Sequence, residues 1–348
     1  MIRYGLIGTG TAAGTHAREL AAVPDARLVA VQARDPARAT EFVARHAALH
    51  PGLRVCETLQ DLVAAPDVDA VIITTPNAAH LEPALAAAAA GKHVVLEKPI
   101  EVTPERAQAI VDACAAAGVR LFLVYQRRHA EATERARADL AAGHYGDVVL
   151  VNIVDNEYRT PAYYADNSWR GRRASEGGGC VTTQSTHMLD LAQYLLGPIT
   201  AVTALCRTRF HAIETEDTAA ALLEFASGAI GTFSSSTAAY PGQRHLVTIS
   251  GTRGSIVFNA EHDQITLRCT QDDAANDITA LPDGFSFRDP VEPRDYPTHA
   301  HRRLLEGITA ELLGGPVSPA ATGDPMAALR VIEALYASAA QGCRVALG

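Results

Sequence analysis

Three groups of residues in this chain have types and spacings that could do chemistry. The first is Gly8-Thr9-Gly10-Thr11-Ala12-Ala13, which fits the pattern G-x-G-x-x-G/A directly after an apolar run. Gly8 permits a tight turn, Gly10 lets the backbone approach a pyrophosphate, and the small Ala13 lets a helix pack closely on a strand. A helix that opens there turns free N–H groups and the positive end of its dipole toward phosphates. A purely structural glycine turn is the alternative, and the position at the head of a strand–helix–strand pattern favours the dinucleotide. The ribose side is read from Val31-Gln32-Ala33-Arg34-Asp35. Ala33 stands where an acid for the ribose 2′-hydroxyl is expected, and Arg34 follows it. A small residue beside an arginine suits a 2′-phosphate, which favours NADP over NAD. The alternative is an Arg34 that stacks on adenine or is solvated, with either cofactor bound.

The second group is Glu97-Lys98-Pro99, at the end of the fifth strand-like segment. Ligands of open α/β sheets lie at strand C-termini, so Lys98 falls at the cofactor edge. A partly desolvated lysine beside an oxidised nicotinamide has its pKa pushed down and can relay the proton of an alcohol. The alternative is a surface lysine paired with a carboxylate. The third group runs from Gly177-Gly178-Gly179-Cys180 to His187-Met188-Leu189-Asp190. Three glycines allow unusual backbone angles or close approach of a ligand. On one continuous helix Thr183, His187 and Asp190 share a face, with Gln184 beside it. That polar stripe next to Met188, Leu189 and Leu191 makes His187 a candidate acid/base partner, against the alternative of a structural histidine.

These groups need elements that position them. Strand patterns at Tyr4–Ile7, Arg27–Gln32, Arg54–Cys56, Ala70–Thr74, His93–Glu97 and Leu121–Val124 alternate with helical ones. The helical ones are Thr15–Val23, Pro36–His46, Leu59–Ala64, Ala78–Ala90 and Pro104–Ala117. Such alternation predicts a doubly wound parallel sheet, an α/β Rossmann domain over residues 1–125. Beyond it the rhythm changes. After a helix at Ala130–Ala142, extended segments at Val148–Glu157, Ile199–Thr208, Thr218–Phe225, Ile230–Ser236, Leu246–Gly251, Ser255–Asn259 and Gln264–Thr270 are joined mostly by short turns. They predict an α+β domain with a mainly antiparallel sheet over residues 126–348. Helices follow at His299–Leu313 and Pro325–Gln341, and the last is expected to be able to pack back on the first domain.

Composition bounds the function. The 348 residues are 48% hydrophobic and 20% charged, which is globular and enough for about two domains. The net charge of −9 and 5% aromatic content speak against nucleic acid and anionic membrane as partners. Cys56, Cys114, Cys180, Cys206, Cys269 and Cys343 form no CxxC and no zinc-finger spacing, so reduced thiols are expected and no metal is implied. The short apolar start ends in a glycine turn rather than a cleavage site, and Ala84–Ala90 is too short to span a bilayer. A cytoplasmic location is the expectation.

Taken together, the stretches GLIGTGTAAGTHA (5–17), TTPNAAH (74–80), GKHVVLEKPI (91–100), SWRG (168–171) and EGGGCVTTQSTHMLDL (176–191) resemble the glucose–fructose oxidoreductase, inositol dehydrogenase and rhizopine-catabolism family, Gfo/Idh/MocA. The C-terminal run PAATGDPMAALRVIEALYASAAQGCRVAL adds to the resemblance, which spans nearly the whole chain. It implies a Rossmann domain that binds NAD or NADP and a second domain with a large open sheet, with homodimers or homotetramers often built on that sheet. It implies Lys98 and His187 in the substrate pocket, Lys98 leading as acid/base. It implies Asn77 and His80 near the nicotinamide side with Glu97 beside it, Thr75 and Pro76 among the cofactor-binding residues, and Gln126 and Arg127 near the cleft. Trp169 and Arg170 would lie on a loop touching cofactor or substrate, and Tyr163 could close over a sugar. Many relatives carry an aspartate where this chain has Thr183. A threonine cannot act as a carboxylate base, so the Thr183-Gln184 pair shifts weight to Lys98, with Asp190 left to orient His187 or bind a hydroxyl.

The activity expected is reversible hydride transfer between the nicotinamide and a secondary hydroxyl or ketone of a sugar, sugar derivative or cyclic polyol. One rival is a cofactor-retaining, glycoside-cleaving enzyme that oxidises its sugar only transiently. Another is a non-catalytic dinucleotide-binding regulator, which the intact Lys98 and His187 disfavour.

Overall fold

The structure is a computed structural model that describes residues 1–165, 169–271 and 297–347, with the backbone alone at 243 and 244. Ser168 of the SWRG stretch lies outside the described residues. In chain order the first elements are β1 (Ile2–Ile7), α1 (Thr11–Leu20), β2 (Ala26–Gln32), α2 (Pro36–His46), β3 (Arg54–Val55) and α3 (Leu59–Val63). Then come β4 (Ala70–Ile73), α4 (Leu81–Ala89), β5 (His93–Leu96), α5 (Pro104–Ala116) and β6 (Leu121–Leu123). The chain continues through α6 (Glu131–Ala141), β7 (Val148–Asn156), α7 (Pro161–Ala165), α8 (Arg173–Glu176), α9 (Cys180–Thr183) and α10 (Thr186–Leu196). Strands β8 (Ile199–Arg207), β9 (Thr218–Phe225), β10 (Ile230–Ser236), β11 (Gln243–Gly251), β12 (Gly254–Asn259) and β13 (Gln264–Thr270) follow. Last are α11 (His299–Leu312), α12 (Ala327–Gln341) and β14 (Val345–Ala346).

The chain divides into two compact units, Met1–His129 with Thr298–Met326, and Ala130–Pro297 with Ala327–Gly348. In the first unit the strands pair in parallel in the order β3-β2-β1-β4-β5-β6. The order reverses between β1 and β4, and the crevice outside the strand ends at such a reversal is where α/β sheets bind ligands. Local chemistry sets several helix starts. Asp35 caps α2 ahead of Pro36 by accepting from the Ala37 N–H at 3.0 Å, and Thr103 caps α5 ahead of Pro104. Helix α1 begins at Thr11, four residues before the start read from the sequence, because Gly10 already serves as its N-cap and Gly14 is carried inside the helix.

The segment that returns to the first unit is α11, whereas the last helix, the one expected to be able to return, belongs to the second unit. The reason is burial. Leu304, Leu305 and Ile308 of α11 join the core of Tyr4, Leu6, Ala13, Ala17 and Leu20. Each such side chain is worth about 1.5–3 kcal/mol when fully buried. Polar ties reinforce the dock: Tyr4 Oη and Thr309 Oγ1 stand 2.8 Å apart, and Glu19 accepts from Thr298 and Arg302.

In the second unit the sheet order is β13-β12-β11-β7-β10-β9-β8-β14. All of its pairs are antiparallel except β10 with β7. One face carries α6, α10 and α12 over a core that includes Val151, Ile153, Met188, Leu189, Phe233, Ile249 and Leu335. Along β9 the residues alternate, with Ala219, Ala221 and Leu223 turned to this core and Leu222 exposed on the other face. The six cysteines are all free thiols. Among the described residues no helix is long and apolar enough to cross a membrane.

Candidate functional site

In the first unit the glycine loop joins the end of β1 to α1. Gly8 has φ +96°, and its N–H donates to the Gln32 carbonyl at 2.9 Å. A Cβ there would stand 2.8 Å from Thr74 Oγ1 and 2.9 Å from the Thr74 carbonyl, so β1 and β4 leave no room for a side chain. Gly10 differs: its backbone is extended, and a Cβ would meet no protein atom within 4 Å. Nothing in the fold itself demands glycine there. Its value lies in keeping the approach to the opening of α1 clear, beside N–H groups that have no partner within the helix. Ala13 is fully buried against the sheet, while Thr9, Thr11 and Ala12 form the rest of the loop and the first turn. Ala33 is buried at the end of β2 and Arg34 is exposed after it. Thr75 and Pro76 follow β4, and Gln126 lies beyond β6 with a buried Oε1 that no described residue bonds. These features fit a bound dinucleotide.

Beside the loop, Lys98 is half-buried at the tip of β5, its backbone N–H 3.3 Å from Glu97 Oε2. His16 of α1 places Nε2 2.8 Å from Glu97 Oε1. Burial pushes the Glu97 carboxyl up, but the His16 hydrogen bond and the nearby positive charge of Lys98 outweigh it and hold it below the usual carboxylate range. His301 of α11 packs edge-on to His16 at 5.8 Å, and burial with the His16 charge pushes its pKa down to about 3. Neither His16 nor His301 was singled out in the sequence. His16 could have been noticed in the GTHA end of the loop motif; nothing local announces His301. Arg127 is buried in the turn after β6, and the neighbouring Arg128 ties that turn to the carbonyls of Pro319 and Thr322, both at 2.9 Å.

His80 lies between the loops that follow β4 and β5. It is 0% exposed, with Nδ1 3.0 Å from the Pro99 carbonyl and Nε2 3.0 Å from the Thr75 carbonyl. Burial pushes its pKa down, so the ring is neutral and its single N–H donates to one of these carbonyls, tying together the loops after β4 and β5. Asn77 is also buried, in the short turn that leads into α4.

The second unit holds the remaining candidates. The single helix read through Thr183, His187 and Asp190 breaks at Gln184 and Ser185 into α9 and α10. Thr183 therefore does not extend the face of His187 and Asp190. Its hydroxyl donates to Glu176 Oε1 at 2.8 Å, while His187 and Asp190 stay one turn apart on α10 and both are buried. Gly178 and Gly179 are explained by packing, and Gly177, at φ +86°, ends α8. A Cβ on Gly179 would collide with the Glu216 carbonyl, and one on Gly178 with Tyr336 Oη. The Glu216 carboxylate accepts from the N–H groups of Gly179 and Val181 and so caps the short α9. The tight approach is thus made by the protein's own chain. Tyr163, Trp169, Arg170 and Gln184 come together. The Arg170 guanidinium lies 3.9 Å from the Tyr163 ring centre and 4.9 Å from that of Trp169, and Gln184 Nε2 is 3.4 Å from Tyr163 Oη. The neighbour of His187 that the sequence did not suggest is His245, with ring centres 6.4 Å apart.

Comparison with known proteins agrees with this layout. Residues 2–125 match the model of an oxidoreductase family with an NAD-binding Rossmann fold, and residues 133–257 match a GFO/IDH/MocA C-terminal domain. The chain is 30% identical to rhizopine catabolism protein MocA of Rhizobium meliloti over 72% of this chain and 76% of that one. It is 27% identical to the inositol 2-dehydrogenase of Rhizobium meliloti strain 1021 over 99% of each. Among solved structures, the WlbA dehydrogenase from Bordetella pertussis in complex with NADH and UDP-GlcNAcA superposes with a TM-score of 0.85 at 28% identity, covering 100% of this chain and 98% of the other. The chain belongs to the Gfo/Idh/MocA family of NAD-binding oxidoreductases.

Proposed function

We propose that this chain is an NAD(P)-dependent dehydrogenase or reductase acting on a sugar, a sugar derivative or a cyclic polyol. The observation that carries the reading is the tip of β5. There the half-buried Lys98 adjoins Glu97, which is itself held by His16 of the dinucleotide helix. Relatives named for inositol and crystallised with a nucleotide sugar support the substrate class. When bound, the nicotinamide supplies the hydride acceptor or donor. Lys98 takes the proton of a secondary hydroxyl as that carbon is oxidised, or returns it to the ketone. His187 assists, and Asp190 orients it. Most of the rate gain comes from holding the carbinol carbon in place and stabilising the developing alkoxide.

The neutral Ala33 and the exposed Arg34 support NADP as the better cofactor. Leu150, Leu205, Leu222 and Ile230 on four adjacent strands of the second unit are exposed large apolar residues. Such a patch supports a homo-oligomer built on that sheet. The test is a panel of sugars, inositols and nucleotide sugars with NAD and NADP in both oxidation states, followed by nicotinamide absorbance. Turnover of cofactor by at least one of them supports the proposal. No change with any of them, in either direction, overturns it.

A further inference from the structure

The second unit contains a buried group of ligating side chains that hydride transfer does not use. Asp155 lies near the end of β7, Glu157 just past it, and His245 on the neighbouring β11. They are 0%, 6% and 1% exposed, and one ligating atom from each lies within 4.8 Å of the others. His245 Nδ1 is 3.9 Å from Asp155 Oδ1 and 3.5 Å from Oε2 of the buried Glu261, and His245 Nε2 is 3.7 Å from Glu157 Oε1. Neither ring nitrogen of His245 has a hydrogen-bond partner among the described residues. A buried imidazole aimed at carboxylates without bonding any of them lacks something the cluster can supply.

The surroundings hold these groups in place. His245 has φ +55°, and the register of β11 against β7 shifts between Gln243 and Leu246. Bulges of this kind re-aim a side chain. The second oxygen of Asp155 accepts from Ser185 Oγ at 2.6 Å, and Ser185 is in turn 2.6 Å from Ser235 Oγ. Oε2 of Glu157 accepts from Arg159, and its Oε1 stands 3.7 Å from His245 Nε2. Outer partners of this kind orient the ligands of a metal ion.

We propose that Asp155, Glu157 and His245 bind one divalent transition-metal ion, Zn²⁺ or Mn²⁺. With bonds of about 2.0–2.2 Å, two ligands on one such ion stand about 3.0–3.6 Å apart. Only one ring nitrogen of His245 can ligate a given ion, and the three ligating atoms, within 4.8 Å of one another, reach that spacing by closing about 1 Å through side-chain rotation. One imidazole among carboxylates suits these ions better than Ca²⁺ or Mg²⁺, which favour oxygen throughout. The site adjoins His187 through His245. It does not depend on the proposed activity. The competing arrangement is a metal-free cluster of His245 and the carboxylates.

The experiment uses the full chain, stripped with chelator and titrated calorimetrically with Mn²⁺ alone, then with Zn²⁺ alone. One equivalent of metal is expected, with a Kd of about 10 μM or tighter, weakened at least ~100-fold in His245→Gln. Pulsed electron paramagnetic resonance of the Mn²⁺ form should show coupling to an imidazole nitrogen that the variant loses. No stoichiometric binding by the wild type, binding without nitrogen coupling, or equal affinity in a folded His245→Gln overturns the proposal. If that variant fails to fold, the wild-type nitrogen coupling and Glu157→Gln decide the matter.

Discussion

Alanine at Gly8 and alanine at Gly10 separate the two reasons for which a dinucleotide loop keeps its glycines. At Gly8 the backbone is left-handed, at φ +96°, and the added methyl would stand 2.8–3.0 Å from Thr74. The handedness costs about 1–2 kcal/mol. Overlap with the Thr74 carbonyl, which cannot move without disturbing β4, costs about 1–3 kcal/mol more. Gly8→Ala is therefore expected to lose about 2–5 kcal/mol of stability in the dinucleotide-free protein. At Gly10 the backbone, at φ −77° and ψ −168°, is open to any residue, and the methyl meets nothing within 4 Å. Its dinucleotide-free stability should stay within about 0.5 kcal/mol of the parent, or rise slightly as the unfolded chain loses freedom. The methyl would instead stand between backbone and pyrophosphate and lower dinucleotide affinity roughly 10–100-fold, about 1.4–2.8 kcal/mol. Urea unfolding monitored by circular dichroism reads the stabilities, and calorimetric titration with NADH and NADPH reads the affinities. A Gly10→Ala protein that binds dinucleotide as tightly as the parent would refute the reasoning, as would one destabilised as much as Gly8→Ala.

Other expectations follow from the same geometry. Arg34→Asp should weaken NADP far more than NAD in a binding titration, and equal effects would remove Arg34 from cofactor choice. His129 and His301 are both held neutral in the first unit, with pKa values pushed down to about 3, chiefly by burial. Both are depressed below the unfolded value of about 6.5, so the unfolded chain binds more protons between the two values. Their contribution is fully present above about pH 6.5 and is lost as the pH falls toward 3, by up to about 1.4 kcal/mol per pH unit for the buried His129. Unfolding of His129→Gln should show a shallower acid limb; an unchanged slope would contradict the assignment. Leu222→Glu, on the exposed face of the second sheet, should convert an oligomer to monomer in analytical ultracentrifugation while leaving the fold intact. An unchanged sedimentation coefficient would move the interface elsewhere.

Elements whose boundaries are written locally were legible in the sequence. Helix α2 runs over the residues read for it, because Asp35 and Pro36 mark its start, and β9, β10 and β13 match residue for residue. The glycine loop and Lys98 were also legible, since a strand-to-helix turn and a strand tip are local features. What was hidden depends on partners distant in sequence. The break between α9 and α10 follows from Ser185, whose hydroxyl is engaged by Asp155 and Ser235, 30 and 50 residues away. The His16–Glu97 pair spans 81 residues, and α11 docks on Glu19 across 279. No periodicity encodes such contacts. His80 is a further case: its motif was legible, and only the fold reveals that its buried ring stands between the carbonyls of Thr75 and Pro99. Of the three glycines before α9, which suggested a ligand, Gly178 and Gly179 accommodate Tyr336 and Glu216.

The claim on which the functional account rests is that the Lys98 amine moves the proton while the hydride moves. The direct measurement is single-turnover reduction of bound nicotinamide by the best substrate of the panel, in the wild type and in Lys98→Ala, with dinucleotide Kd determined on the same samples. The account predicts a rate reduced about 10²–10⁴-fold at an essentially unchanged Kd, since general acid–base groups contribute on that scale. A Lys98→Ala protein that binds the dinucleotide and reduces it at close to the wild-type rate would contradict it.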